Sequence, residues 1–311
     1  MPLRAGLFYC AGLAGKMNWL LVRHIPAASR CVVFFPGDIS DFANRHAPYS
    51  YSLEGLLWVL CSKYPEETVI LVKPRMMLDH FAIYANFMMV DGMGNPRHLT
   101  DQRSEADVSA PEDYDLPAAG HLCRLLKSLG KELGEEVPAH LVLVGFSKGA
   151  AVLNALMRDV QDELWSTVRT VHFVDAGLAI PGVFPLQGEE LQKVSKAAPP
   201  EFEIWLHCTP RQIQDESRPF VAHEHDAFEA KCKALGVAIQ RRRQLRGSSR
   251  SHGPHSHPQL YAAGLPISLD MHFDALRCFL TSSEDQDGGD QRCGFFQAWR
   301  AVAEAADDER T

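Results

Sequence analysis

Pro138-Ala-His-Leu-Val-Leu-Val-Gly-Phe-Ser-Lys-Gly-Ala-Ala-Val-Leu-Asn-Ala-Leu-Met157 is the stretch on which the reading of this chain turns. Leu141 to Val144 is an apolar run of the kind a fully buried strand shows, and it stops at Gly145-Phe146-Ser147-Lys148-Gly149. Beyond it, apolar side chains recur at Val152, Leu153, Leu156, Met157, Val160 and Leu164, the spacing of one helix face. A strand, Gly-x-Ser-x-Gly and a helix in succession make a nucleophile elbow. In so tight a turn Gly145 and Gly149 are expected where any Cβ would strike neighbouring backbone. Ser147 is then held in a strained conformation, its hydroxyl above the sheet edge beside the amides of a helix N-terminus.

Working back from the elbow, Cys31-Val-Val-Phe-Phe35 reads as a buried strand that ends in Pro36-Gly37-Asp38. In a hydrolase elbow fold the loop after such a strand supplies one oxyanion amide. The amides of Asp38 and Lys148 are the expected pair, with Gly37 allowing the backbone to approach a substrate closely. Leu53, Leu56, Leu57 and Leu60 mark a helix, and Thr68 to Val72 a strand stopped by Pro74. Met76, Met77, Phe81, Tyr84, Phe87, Met88 and Met89 are spaced as a loosely helical cluster, either a helix packed on the sheet or a wall that accepts acyl chains. Gly92 to Pro117 reads as surface loop, and Leu122, Leu125, Leu126, Leu129 and Leu133 as the helix leading into the elbow strand.

Downstream, Thr170-Val-His-Phe-Val174 is a strand ending at Asp175-Ala-Gly177, and 178–200 has the composition of a small lid. Glu203-Ile-Trp-Leu-His207 is the next strand, followed by a loop from Thr209 to Pro219 and an amphipathic helix through Phe220, Phe228, Cys232 and Leu235. The last strand lies near Val237 to Ile239. Strands alternating with helices from 31 to 280 indicate an α/β class chain with a mostly parallel sheet covered on both faces, in the α/β-hydrolase arrangement. Three segments follow: 1–30, either a targeting segment or edge strands; the 31–280 domain, with a flexible basic insertion at 241–258; and an acidic, partly disordered tail at 281–311, whose Phe295 to Ala306 could form one short helix.

The composition suits this reading. Of 311 residues, 46% are apolar and 23% charged, as in ordinary globular proteins, and no apolar run is long enough to span a bilayer. A net charge of −8 argues against a general nucleic-acid binder. Eight cysteines occur with no Cys-x-x-Cys pair, so neither a disulfide scaffold nor a metal site is expected. His252, His255 and His257 lie in the basic insertion, without a folded shell that would hold a metal.

A serine becomes a useful nucleophile when a base takes its proton and a carboxylate orients that base. The chain order in this fold is serine, acid, histidine. His272, opening a helix after the last strand, satisfies that order; His207, His223 and His225 come too early, and the insertion histidines lack a rigid support. Asp215, beyond the penultimate strand, is the favoured acid, with Asp175 as the alternative and Glu216 and Asp270 as more distant choices.

Phe34-Phe-Pro-Gly-Asp38, Gly145-Phe-Ser-Lys-Gly149 with Val152-Leu-Asn154, Val174-Asp-Ala-Gly177, Thr209-Pro-x-Gln212 with Asp215, and His272-Phe273 together resemble one family over residues 31–280. It is a poorly characterised α/β-hydrolase-like open-reading-frame family with a vertebrate mitochondrial member. The resemblance implies a serine-hydrolase-like fold, a mitochondrial setting (cytoplasmic being the alternative) and an undefined substrate, and by position it supports Ser147, Asp215 and His272. The basic insertion and a shorter N-terminal extension depart from it. The resulting expectation is a serine hydrolase of esters or thioesters, including lipid acyl esters, with no cofactor and no metal. Its alternatives are an inactive hydrolase-fold protein that binds a protein partner, and acyl transfer to an alcohol by the same residues. The Lys148 side chain, next to the nucleophile, is a candidate for steering an anionic acyl group.

Overall fold

The computed structural model describes residues 4–43, 51–97, 117–184 and 188–243, together with His272, Phe273, Ala275, Leu276 and Phe279. An antiparallel hairpin, β1 (Arg4–Ala11) and β2 (Met17–His24), opens the chain. Residues 4–24 of the N-terminal segment form this hairpin, with β1 at the edge of the sheet and β2 paired on both sides. β2 pairs antiparallel with β4 (Thr68–Val72), and from there the sheet is parallel through β3 (Arg30–Phe35), β7 (His140–Phe146), β8 (Val168–Val174), β9 (Glu203–Cys208) and β10 (Ala238–Arg243). The eight strands lie in the order β1-β2-β4-β3-β7-β8-β9-β10.

Both faces of this sheet are covered, which is why β3, β4 and β7 read as unbroken apolar runs. On β3, Cys31, Val33 and Phe35 join one core while Val32 and Phe34 join the other. The first core is closed by α2 (Ala118–Leu133), α3 (Gly149–Arg158), α5 (Gly188–Ala197) and α7 (Pro219–Ala234). The second is closed by α1 (Leu53–Lys63), whose Ser52 caps the helix by accepting from the Gly55 amide at 3.1 Å, and by Phe273, Ala275, Leu276 and Phe279. The chain leaves β3 towards β4 but leaves β7 towards β8, so the sheet reverses its winding between β3 and β7. A crevice at the carboxyl ends of the strands on either side of such a reversal is where open α/β sheets bind ligands.

Several expectations change. Met76 to Met89 is not a helix: β5 (Met76–Leu78) and β6 (Phe81–Ile83) form an antiparallel hairpin about Asp79-His80, with Asp79 at φ 54°. The apolar spacing fits either form, and the two polar residues between the strands allow the turn. The stretch after Thr209 contains a short helix, α6 (Pro210–Ile213), with proline at its first position, where no donor is missed. The expected lid region 178–200 includes α5, and its Leu178, Val183 and Phe184 are buried in the core. A further short helix, α4 (Asp162–Trp165), precedes β8. β10 runs on to Arg243, three residues into the stretch expected as an insertion, because Arg241, Arg242 and Arg243 pair with Leu206, His207 and Cys208. The rest of that insertion, Asp270, the acidic tail, the 295–306 helix and most of the 92–117 loop lie outside the described residues. None of the six cysteines among the described residues forms a disulfide, no described helix is long and apolar enough to cross a membrane, and no described group of His, Cys, Asp and Glu could hold a metal.

Candidate active site

The elbow depends on its two glycines. A Cβ on Gly149 would stand 1.9 Å from the Phe35 carbonyl oxygen, and one on Gly145 would stand 2.7 Å from Leu153 Cδ1 and 2.9 Å from Ala150 Cα. The turn therefore presses against both β3 and its own helix. Ser147, between them, has φ 51°, a region unfavourable for an L-residue and typical of strain kept at functional positions. Its amide donates to the Val174 carbonyl at 3.0 Å. Because Phe146 is in register with Val174, Ser147 and Asp175 leave neighbouring strands side by side.

Asp175 is the acid that meets His272. Its Oδ2 accepts from His272 Nδ1 at 2.6 Å, both residues being buried. The same carboxylate accepts from the Thr209 amide at 2.7 Å and from the Thr209 hydroxyl at 2.7 to 2.8 Å. An ionised carboxylate has no hydrogen to give, so the proton in the 2.6 Å bond sits on Nδ1, leaving Nε2 as the basic nitrogen. Asp175 itself has φ 46°; its amide donates to the His207 carbonyl at 2.7 Å, and its carbonyl accepts from Gln212 Nε2 at 3.0 Å. The imidazole lies 4.5 Å from the Phe146 ring, centroid to centroid, which sets it beside the elbow. Phe273 stacks on Tyr51 at 4.1 Å, and Lys63 Nζ donates to the Phe279 carbonyl at 2.7 Å. These contacts pin the segment that carries His272.

Asp215, the expected acid, is elsewhere. It accepts from the Ser217 amide at 2.9 Å, the Ser217 hydroxyl at 2.5 Å and Arg218 Nε at 2.8 Å. The hydrogen bonds from Ser217 and Arg218 hold its carboxyl down at about 2. With Glu216, Arg211, Gln214 and Arg218 it lines a surface cavity of about 410 Å³ to which Ser147, Asp175 and His272 do not contribute. Asp215 nevertheless reaches the site indirectly. Arg218 also donates to Gln212 Oε1 at 3.3 Å, and Gln212 holds the Asp175 carbonyl. The sequence carried a signal for this outcome: in Asp-x-Ser-Arg the carboxylate finds its partners locally.

Gly37 abuts Ser147, since a Cβ there would stand 2.6 Å from Ser147 Cβ and 3.2 Å from its Oγ. The Asp38 backbone follows directly. Lys148 is the N-cap of α3, so its amide belongs to the set without an intrahelical acceptor. The Lys148 side chain, expected as a candidate for steering an anionic acyl group, meets partners within the protein. It is buried, with Nζ 3.0 Å from Asp38 Oδ1, 2.5 Å from the Met93 carbonyl and 4.7 Å from the Phe81 ring centroid.

The earlier histidines have structural partners. His225 Nδ1 is 3.2 Å from Cys208 Sγ and its Nε2 3.1 Å from the Ala176 carbonyl, and burial pushes the ring down to about 4. His207 Nε2 is 3.1 Å from His172 Nδ1, and His223 is exposed on α7. His252, His255 and His257 lie outside the described residues.

Residues 7–139 and 134–238 match the family described as C2orf69. The chain belongs to that family. It is 28% identical over 271 residues to the mitochondrial protein C2orf69 homolog of Danio rerio, covering 80% of this chain and 72% of that protein. It is 24% identical over 270 residues to mitochondrial protein C2orf69 of Homo sapiens, covering 69% of each. Among solved structures, the poly(3-hydroxybutyrate) depolymerase LpqC from Bordetella parapertussis superposes with a TM-score of 0.46 at 12% identity, covering 78% of this chain and 84% of that one. A Bacillus cereus carboxylesterase superposes with a TM-score of 0.44 at 12% identity, over 76% and 90%. This C2orf69-family chain has the α/β-hydrolase fold, with the elbow at the carboxyl end of β7 where that fold carries its nucleophile.

Proposed function

We propose that this C2orf69-family protein is a serine hydrolase of carboxylic esters or thioesters, with Ser147 as nucleophile, His272 as base and Asp175 as the acid that orients it. The reading is carried by the buried 2.6 Å hydrogen bond from His272 Nδ1 to Asp175, on a strand end that adjoins Ser147 at φ 51°. Ser147 Oγ attacks the acyl carbon while His272 Nε2 takes the hydroxyl proton, and Asp175 stabilises the imidazolium so formed. The carbonyl oxygen becomes an oxyanion held by the amides of Asp38 and Lys148. The adduct collapses as the leaving alcohol or thiol takes the proton from His272, leaving an acyl group on Ser147. Water, deprotonated by the same nitrogen, then releases the acid.

An apolar acyl group suits the surroundings better than an anionic one. Lys148, the nearest cation in sequence, is already paired, whereas Met76 and Leu78 of the hairpin and Met93 of the turn leave apolar surface exposed on the elements that contact it. The names of the vertebrate relatives place those proteins in mitochondria, and we infer the same setting here.

The test is labelling by a fluorophosphonate probe together with turnover of short p-nitrophenyl esters and acyl thioesters. Wild-type protein is expected to label and turn over, and Ser147→Ala to do neither. A folded wild-type protein inert to the probe and to every ester would instead favour a binding protein on a hydrolase scaffold.

A further inference from the structure

Asp38 and Lys148 are the residues whose amides form the candidate oxyanion hole, and their own side chains are joined to each other. Lys148 Nζ lies 3.0 Å from Asp38 Oδ1, on the short path between the elbow and the loop after β3. Each partner also holds a second backbone segment. Asp38 Oδ1 accepts from the Ala82 amide of β6 at 2.8 Å, and Lys148 Nζ donates to the Met93 carbonyl at 2.5 Å. The turn containing Met93 rests in turn on β6, where a Cβ on Gly94 would stand 2.3 Å from the Ala82 carbonyl oxygen. Phe81 completes the enclosure, its ring centroid 4.7 Å from the ammonium.

The backbone next to this pair is strained. Ile39, immediately after Asp38, has φ 58°, a conformation that a β-branched residue rarely adopts, and its amide donates to the His80 carbonyl at 2.8 Å. Such a conformation persists only where the surroundings over-determine it. Here the β5–β6 hairpin holds the loop twice, through the Ile39 amide and the Asp38 carboxylate. The loop is also pressed against Ser147 at Gly37, so a small displacement of it would move one oxyanion donor relative to the other.

From this arrangement we infer that the Lys148–Asp38 ion pair positions the oxyanion hole: it sets the separation and direction of the two amides, and Lys148 is a positioning residue that does not contact substrate. The inference rests on the proposed hydrolase chemistry for its catalytic consequence, but the positioning itself can be measured without turnover. An ion pair suits the task because its lysine end is buried and each partner also holds a second backbone segment, so the donors need little reorganisation as charge develops on the substrate oxygen.

The test uses the full chain carrying Lys148→Met, Asp38→Asn and the double substitution, which removes both charges and leaves no orphaned ion. Two readouts are taken: p-nitrophenyl butyrate kinetics with inhibition by a trifluoromethyl ketone, and hydrogen–deuterium exchange of peptides covering 36–41 and 146–151. Each variant should lower kcat roughly 10- to 100-fold while KM stays within about threefold, with ketone affinity falling in parallel. The double variant should lose no more than either single one, because the two groups act as a unit. Exchange at both peptides should rise in all three variants, with the remainder of the sheet unchanged. The double variant keeps the question open to measurement if either single variant fails to fold. Unchanged kcat, ketone affinity and exchange would overturn the inference, as would a Lys148→Met effect confined to KM for anionic esters, which would mean substrate contact. If wild-type protein proves inert to esters, the hydrolase reading falls, and the exchange measurement alone decides whether the pair orders the loop.

Discussion

Asp175 and His272 are 97 residues apart in the chain and share a buried hydrogen bond of 2.6 Å. Neither residue adjoins Ser147 in sequence. Their meeting requires β8 to lie beside β7 and the segment after β10 to fold back over the second core, where Phe273 and Phe279 hold it. The bond thus reports on the whole sheet.

Replacing each of the two carboxylates separates their roles. Asp175→Asn should lower kcat for p-nitrophenyl esters by about 10⁴, because an amide in place of the carboxylate favours the wrong imidazole tautomer and leaves the imidazolium unsupported. Asp215→Asn should cost less than about tenfold, since that residue acts only through Arg218 and Gln212. Steady-state kinetics of the two variants side by side checks this, and equal losses would contradict the assignment.

Thr209 clamps the acid with both its amide and its hydroxyl. In Thr209→Val the amide remains and the hydroxyl is lost, so one buried acceptor position on Asp175 goes unfilled. The expected cost is about 1–3 kcal/mol, read as a drop of roughly 5- to 150-fold in kcat/KM for the ester. A thermal melt measures how much of the cost appears as lost stability.

Gly37 faces Ser147 so closely that even a methyl group has no room: its Cβ would stand 2.6 Å from Ser147 Cβ. Gly37→Ala should push the loop away and remove one oxyanion donor, lowering kcat by about 10²–10³. Gly149→Ala, whose Cβ would be 1.9 Å from the Phe35 carbonyl, should instead fail to fold or melt far lower, because the contact is with central-strand backbone. Melting curves and ester kinetics on both variants distinguish a lost site from a lost fold.

Acid should destabilise the protein before its carboxylates protonate. Burial pushes His121 down to about 4, His172 to about 3 and His225 to about 4, from an ordinary value of 6.5. Between pH 6.5 and about 4 the unfolded chain binds protons at these sites and the folded chain does not, so stability rises with pH across that window and is lost as pH falls through it. Each histidine contributes about 1.4 kcal/mol per pH unit there, on the order of 5 kcal/mol for the three between pH 7.5 and 5. Urea midpoints measured at those two pH values test the slope, which His172→Gln should reduce by about a third.

What the chain carried locally was legible locally. The elbow is a contiguous strand, turn and helix, and its chemistry is written in the apolar run to Val144, the two glycines and the spacing of Val152, Leu153, Leu156 and Met157. The Pro36-Gly37-Asp38 loop and His272 were found from their order relative to that elbow. The Met76–Met89 stretch misled because side chains of that spacing suit a helix or a hairpin, and only pairing partners choose between them.

The sequence by itself determined the α/β architecture and the place of Ser147 in a tight strand-to-helix turn, since periodicity and steric demands at glycine act over a few residues. The tertiary structure alone decided which carboxylate hydrogen-bonds His272 and which groups Lys148 meets. Asp175 and Asp215 are chemically the same group, and their difference lies in the register of β7, β8 and β9, which presents the Thr209 amide and the His272 ring to one of them. Lys148 follows the nucleophile in every reading of the sequence, yet its charge is consumed by Asp38, a residue 110 positions earlier that only the parallel pairing of β3 with β7 brings within 3.0 Å.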